Sequence, residues 1–274
     1  MIEIPECVTL SEQFAQAFLG KKLETVVAGH TAHGFTWYNY DHTQFSELLS
    51  GKALSRVRGL GGYIELVFED VYLTLNDGAT PHYLAPEDTE PEKHQLLIRF
   101  EDGSGFYCTV RMYAGIQLHP LGESDNIYYL AARDKPSPLS NQFTRKYFQN
   151  IVEEAGGKLS AKALLATEQR IPGLGNGVVQ DILFTAGINP QRKLSDRDDQ
   201  DLDTLFSSVT TVLAEMTAKK GRDTEKDLYG IPGGYQTILS NKTKDEPCPQ
   251  CGSRIVKKAY LGGNVYFCPV CQPL

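Results

Sequence analysis

The 274-residue chain is expected to adopt an α+β fold in three parts, and three observations predict it. Over residues 1–132 apolar and polar positions alternate, the period of strands, whereas over 133–222 apolar residues recur every three to four positions, the period of helices. The remainder, 223–274, contains Cys248-x2-Cys251-x16-Cys268-x2-Cys271, two knuckles whose four thiolates can reach the corners of a metal tetrahedron.

The first part reads as an antiparallel β-sandwich with flanking helices. Pro5 can open a helix on which Leu10, Phe14 and Phe18 share a face before Gly20 stops it. Phe45, Leu48 and Leu49 mark a second helix before Gly51. Ile64-x-Leu66-x-Phe68, Leu73-x-Leu75 and Leu96-x-Ile98-x-Phe100 supply strands, with turns expected at Asn76-Asp77-Gly78 and Asp102-Gly103. Arg133-Asp134-Lys135-Pro136-Ser137-Pro138 then reads as a linker, because its prolines continue neither helix nor ladder. Four helical segments follow, marked by Phe143, Tyr147 and Ile151, by Leu159, Leu164 and Leu165, by Val178, Ile182 and Phe184, and by Leu202, Leu205, Val209 and Leu213. Residues 221–240 are too rich in glycine for a core helix and are expected to form an ordered but mobile loop.

Thiolates at all four knuckle positions suit a structural zinc ion with no open position for chemistry. The competing interpretation, two redox or disulfide pairs, is weakened by the proline in each knuckle and the hairpin-like segment between them. Cys7 and Cys108 are expected as reduced core residues. The chain has no run of 18 apolar residues, and its first residues lack the basic start and apolar stretch of a signal peptide, so a soluble cytoplasmic monomer without membrane contact is expected.

A net charge of −7 argues against a phosphate-rich partner, whose charge Lys and Arg must neutralise. Its distribution is uneven: seven basic against four acidic side chains lie in 145–195, and five against two in 241–274. Ordinary solvated faces fit each block as well. None of the six histidines pairs with a carboxylate at metal-ligand spacing, so metal-dependent hydrolysis is not expected. Between two helical segments stands Ile171-Pro172-Gly173-Leu174-Gly175-Asn176-Gly177. Its glycines allow close backbone approach and the following helix start offers amides to an anion such as a DNA phosphate, though a tight interhelical turn accounts for the motif too.

Taken in order, Glu3-x-Pro5-Glu6, the strand-rich part, Pro172-Gly173-Leu174-Gly175-Asn176, Gly234-Tyr235-Gln236 and a ribbon ending Phe267-Cys268-Pro269-Val270-Cys271-Gln272 make the chain similar to the formamidopyrimidine-DNA glycosylase and endonuclease VIII family, which excises oxidised bases from DNA. The resemblance spans the whole chain. It implies a helix-two-turns-helix DNA-binding domain in 133–222, where Gly173, Gly175 and Asn176 grip phosphate with help from Lys162, and where Asp181 replaces the usual glutamate. It implies that Glu3 protonates the sugar ring oxygen or activates water. Met112 and Tyr113 fall at the family's wedge into the duplex, and Gly233 to Gln236, with Tyr235 and Gln236, at its loop over the flipped base. The implied partner is damaged double-stranded DNA and the implied cofactor structural zinc on Cys248, Cys251, Cys268 and Cys271.

Three positions depart from the family's pattern. Ile2 stands where a proline amine is the nucleophile, and a bulky second residue keeps Met1 in place, so that the amine is missing or displaced to Met1. Gly62, in Leu60-Gly61-Gly62-Tyr63-Ile64, stands where the family has a phosphate-binding lysine, and Gly263 or Asn264 where it has an arginine. The resemblance therefore implies a base-excision DNA glycosylase, with abasic-site lyase activity open, or a catalytically inactive relative that binds lesions without cleaving. A zinc-ribbon protein of transcription or RNA handling leaves the N-terminal motif and the Gly-Asn turn unexplained.

Overall fold

The computed structural model describes residues 1–193, 195 and 199–274. Helix α1 (Ile4–Phe18) opens with Pro5 in its first turn and buries Leu10, Phe14 and Phe18. Strands β1 (Leu23–Ala28) and β2 (Thr36–Trp37) follow, then α2 (His42–Leu49), whose Asp41 and Gln44 form a reciprocal capping box. Strands β3 (Leu54–Leu60), β4 (Tyr63–Phe68), β5 (Val71–Leu84), β6 (Leu96–Phe100) and β7 (Gly105–Pro120) complete the N-terminal part. They pair as one continuous antiparallel sheet in the order β1-β6-β7-β5-β4-β3, with β2 added parallel to β7. The halves of the expected sandwich are thus one sheet, joined through the long β5 and β7. Phe14 and Phe18 of α1 pack on Phe106 and Phe100, each at 4.8 Å between ring centroids, and anchor the core.

The turn expected at Asn76-Asp77-Gly78 is not one. The strand runs through, and its turn-forming residues are accommodated as an irregularity: Asp77 pairs with Ala114 and Ala79 with Val110, so Arg111, Met112 and Tyr113 lie opposite Gly78 alone. A side chain at Gly78 would stand 2.7 Å from the Tyr113 carbonyl, so only glycine lets β7 bulge here. Asp77 takes a left-handed φ of 55°. The expected linker is also partly helical: α3 (Ile127–Asp134) starts at Asn126, whose side chain accepts from the Tyr128 and Tyr129 amides. Tyr129 and Ala132 cover Tyr63, Val67 and Tyr72 on the outer sheet face, and Pro136 keeps the helix from continuing.

Helices α4 (Arg145–Ala155), α5 (Ala161–Ala166), α6 (Val178–Thr185) and α7 (Asp199–Ala218) form the helical layer. Phe148, Leu164, Val178, Ile182, Leu183, Leu205, Val209 and Leu213 make its core, and Ile4 of α1 belongs to the same cluster. Because the rest of α1 packs on the sheet, this helix ties the two bodies together. The ribbon hairpin, β8 (Val256–Tyr260) and β9 (Gly263–Phe267), turns through Leu261 and Gly262, both at positive φ. Among the described residues no helix is long and apolar enough to cross a membrane.

Candidate active site

The amino terminus is threaded into the junction of the two bodies. The Ile2 amide donates to the Asp77 carbonyl at 2.7 Å and the Ile4 amide to the Gly173 carbonyl at 3.0 Å, so residues 2–4 bridge the β5 irregularity and the interhelical turn. Backbone meets backbone where that turn touches the β3–β4 hairpin: a side chain on Gly173, at φ 78°, would stand 2.3 Å from the Gly61 carbonyl carbon.

Helix α6 has no capping side chain of its own, since Gly177 occupies the position. The Glu3 carboxylate supplies the cap, accepting from the Gly177 and Val178 amides at 2.9 and 2.8 Å, where the positive end of the helix favours an anion. Arg222 stands 3.6 Å from the same carboxylate and grips Glu6 through Nε at 3.0 Å and Nη2 at 2.8 Å. The guanidinium is 2% exposed. Burial alone would lower its pKa, but Glu3 and Glu6 outweigh that and raise it, so the charge is retained inside. Glycines 175 and 177 make the room: a Cβ at Gly175 would come within 2.8 Å of Glu3, and one at Gly177 within 1.5 Å of Arg222.

The Met1 ammonium donates to Glu225 at 2.5 Å, and the Tyr113 hydroxyl lies 4.0 Å from the Met1 sulfur. Next to this end lies an exposed apolar patch: Met112 on the β7 bulge is 63% exposed, Trp37 is 52% exposed, and Trp37 and Tyr113 sit 5.9 Å apart between ring centroids. On the other side Asn176 donates to the Asn264 carbonyl at the hairpin tip at 3.1 Å, and Gln180 donates to the same carbonyl while accepting from the Tyr266 amide. The four ribbon sulfurs lie within 4.8 Å of one another, with nearest separations of 3.4 and 3.8 Å, and the cysteines are free. The edge of a tetrahedron with metal–sulfur bonds of about 2.3 Å is about 3.8 Å, so these residues can hold a metal ion.

Residues 135–227 match the model of the formamidopyrimidine-DNA glycosylase H2TH domain. The chain is 28% identical to a formamidopyrimidine-DNA glycosylase from Cytobacillus firmus over 99% of this chain and 100% of the relative. It is 27% identical to one from Bacillus cereus (strain ATCC 10987) over 100% and 99%. The solved structure of Lactococcus lactis Fpg in complex with DNA containing an oxidised pyrimidine superposes with a TM-score of 0.83 at 25% identity, covering 99% of this chain and 100% of that one.

Residues 135–227 form a formamidopyrimidine-DNA glycosylase H2TH domain, and the chain as a whole is similar to formamidopyrimidine-DNA glycosylases.

Against that family's pattern several of the expected site residues change role. Lys162 is 2% exposed and donates Nζ to the Tyr260 carbonyl at 2.6 Å; it anchors the ribbon hairpin to α5 and has no charge to offer a phosphate outside. Tyr235 is 4% exposed, packed in the helical core under Lys219 with its hydroxyl turned to Asp181, so it is not poised over a flipped base. Residues 221–240 are held by their own backbone, with Asp223 bonded to Tyr235, Tyr235 to Gly221 and Gly233 to Glu225, while Gln236 is exposed. The Ile2 side chain is buried in the sheet core and carries no reacting group. Gly173 and Gly175 serve the domain junction and the Glu3 seat, which leaves Asn176 as the polar side chain of the turn. Asp181 accepts from the Ile238 and Leu239 amides, and burial pushes it up to about 6. Arg222, Glu225 and Trp37 escaped the sequence analysis; an arginine and a glutamate inside a glycine-rich stretch were the available signal for the first two.

Proposed function

We infer that the chain is a DNA glycosylase of base excision repair, which binds damaged double-stranded DNA across the junction of sheet and helical layer and cleaves an N-glycosidic bond with water. The observation that carries this is Glu3: both its oxygens face N–H donors at the start of α6, beside the Asn176 turn and next to the chain terminus. A carboxylate fixed by donors at both oxygens is suited to stabilise the positive charge that develops at C1′ when a base departs. The relatives' names and the DNA-bound Lactococcus lactis structure support the same activity. Met112 on its bulge is the wedge that takes the vacated place in the duplex, with Tyr113 and Trp37 behind it. Asn176 and the hairpin tip approach the phosphates, and zinc bound by Cys248, Cys251, Cys268 and Cys271 keeps that tip in place.

The amine mechanism is disfavoured by two facts: Ile2 has no free amine while Met1 is present, and the Met1 ammonium is ion-paired with Glu225. With a panel of damaged duplexes, base release is expected from the wild type, a loss of 100-fold or more in Glu3→Gln on the scale of general catalytic groups, and no adduct with abasic DNA under borohydride. Base release undiminished in Glu3→Gln overturns the role of Glu3, and binding without release by the wild type favours the inactive-relative reading.

A further inference from the structure

At the irregularity in β5, Asp77 presents a carboxylate that the scaffold leaves uncommitted. It is half-buried, accepts one hydrogen bond, from Asn76 Nδ2 at 3.0 Å, and forms no ion pair among the described residues. Its carbonyl holds the Ile2 amide, so the carboxyl group is fixed relative to the N-terminal segment. A left-handed residue at a bulge is served as well by glycine or asparagine, without a desolvated charge. The charge, not the backbone shape, is what calls for a role.

The surroundings divide the work of two acids. The charges of the Met1 ammonium and Glu3 act on Asp77, and its own charge acts on Tyr63 of β4 and Tyr113 of β7. Glu225 and Arg222 of the 221–240 loop are already engaged with Met1 and with Glu3 and Glu6. Burial raises Asp77 above the ordinary aspartate range and Glu3 pushes the same way, while the ammonium opposes them. Glu3, by contrast, is clamped by two amides and a guanidinium. Two carboxylates whose environments differ in this way are suited to separate acid–base and charge-stabilising roles.

Resting on the glycosylase activity proposed above, we propose that Asp77 is the catalytic base that activates water, with Glu3 as the charge-stabilising group. The water oxygen bonds to C1′ as the C1′–N bond breaks, and the bonding pair leaves on the base. One water proton passes to the Asp77 carboxylate and from there to the departing base or to solvent, which gives a 1′-hydroxyl sugar and a neutral base. No amine adduct and no strand break are part of the step.

The test compares wild type, Asp77→Asn and Glu3→Gln on the same damaged duplexes. Asparagine tolerates a left-handed φ, so the fold should persist, and thermal unfolding checks it. Asp77→Asn is expected to lower single-turnover base release at least 100-fold while binding a duplex with a stable abasic analogue within about twofold of wild type. A base must be ionised to act, so wild-type release should climb with pH through a limb above the ordinary aspartate value of about 4, and that limb should vanish in the variant. If Asp77→Asn keeps the wild-type rate and limb while Glu3→Gln is inactive, Asp77 is not the base and the glycosylase activity stands. A wild type inert on every duplex removes both.

Discussion

Arg222 lies 216 residues from the glutamate it grips, and that pairing decides how the site is charged. Three carboxylates (Glu3, Glu6 and Glu225) raise its pKa against burial, which holds one positive charge beneath the N-terminal segment. A buried pair of this kind adds little stability over an apolar isostere, but removing one partner strands the others. Arg222→Ala removes the buried counter-charge of Glu3 and Glu6 and is expected to cost about 3–5 kcal/mol, read as a lower denaturant midpoint at neutral pH. Unpaired buried carboxylates have raised pKa values, so the folded variant takes up protons that the unfolded chain does not, and part of the loss should return on acidification. An unchanged midpoint would show that the guanidinium is not what neutralises the two glutamates. The sequence displayed Glu3 and Glu6 plainly, as a local motif; it could not display Arg222 as their partner, because nothing local links positions so far apart.

Elements were legible where a single period ran long enough. The faces of α1 and α7 and the alternation in β4 and β6 identify themselves, whereas α3 escaped notice because its Ile127 and Tyr128 are exposed and blur the apolar stripe. The Asn76-Asp77-Gly78 signal was real but ambiguous: residues that favour a turn also favour a bulge, and the thirteen paired positions of β5 with β7 decided for the bulge. The ribbon hairpin shows why an element's role depends on its seat. Lys162, Gln180 and Gln272 all reach it or its knuckles from inside, Gln272 donating to the Ile188 carbonyl and accepting from the Cys268 amide. Loss of the four-thiolate site is therefore expected to free the hairpin tip from Asn176 while the N-terminal sheet stays folded. Cys268→Ser, or a strong chelator, should weaken binding to abasic-analogue duplex tenfold or more with little change in the strand signal of circular dichroism. Full affinity without the metal ligands would mean that the tip does not touch DNA.

For the molecule as a whole, the order of its parts was visible in the sequence, since each part has its own period or spacing. The inward turn of Lys162 and Tyr235 was not, because exposure is set by packing between parts and not by residue type. That inward turn has a measurable consequence. The chain carries a net charge of −7, Gly62 and the Gly263-Asn264 tip supply no cation, and Lys162 is spent on a carbonyl. Arg111 on the β7 bulge and Lys257 and Lys258 on β8 are the exposed cations of the two elements that carry the wedge and the hairpin tip. Each phosphate neutralised contributes about −0.9 to the slope of log affinity against log salt, so about three contacts give a slope near −3. Binding should then depend on the Met112 wedge and lesion-induced unstacking more than on counterion release, and Met112→Ala should weaken it with the slope unchanged. Titrations of abasic-analogue duplex between about 50 and 200 mM salt decide the matter. A slope near −6 or steeper would require basic side chains beyond these three to meet the backbone, and the duplex would then have to cross the molecule along another face.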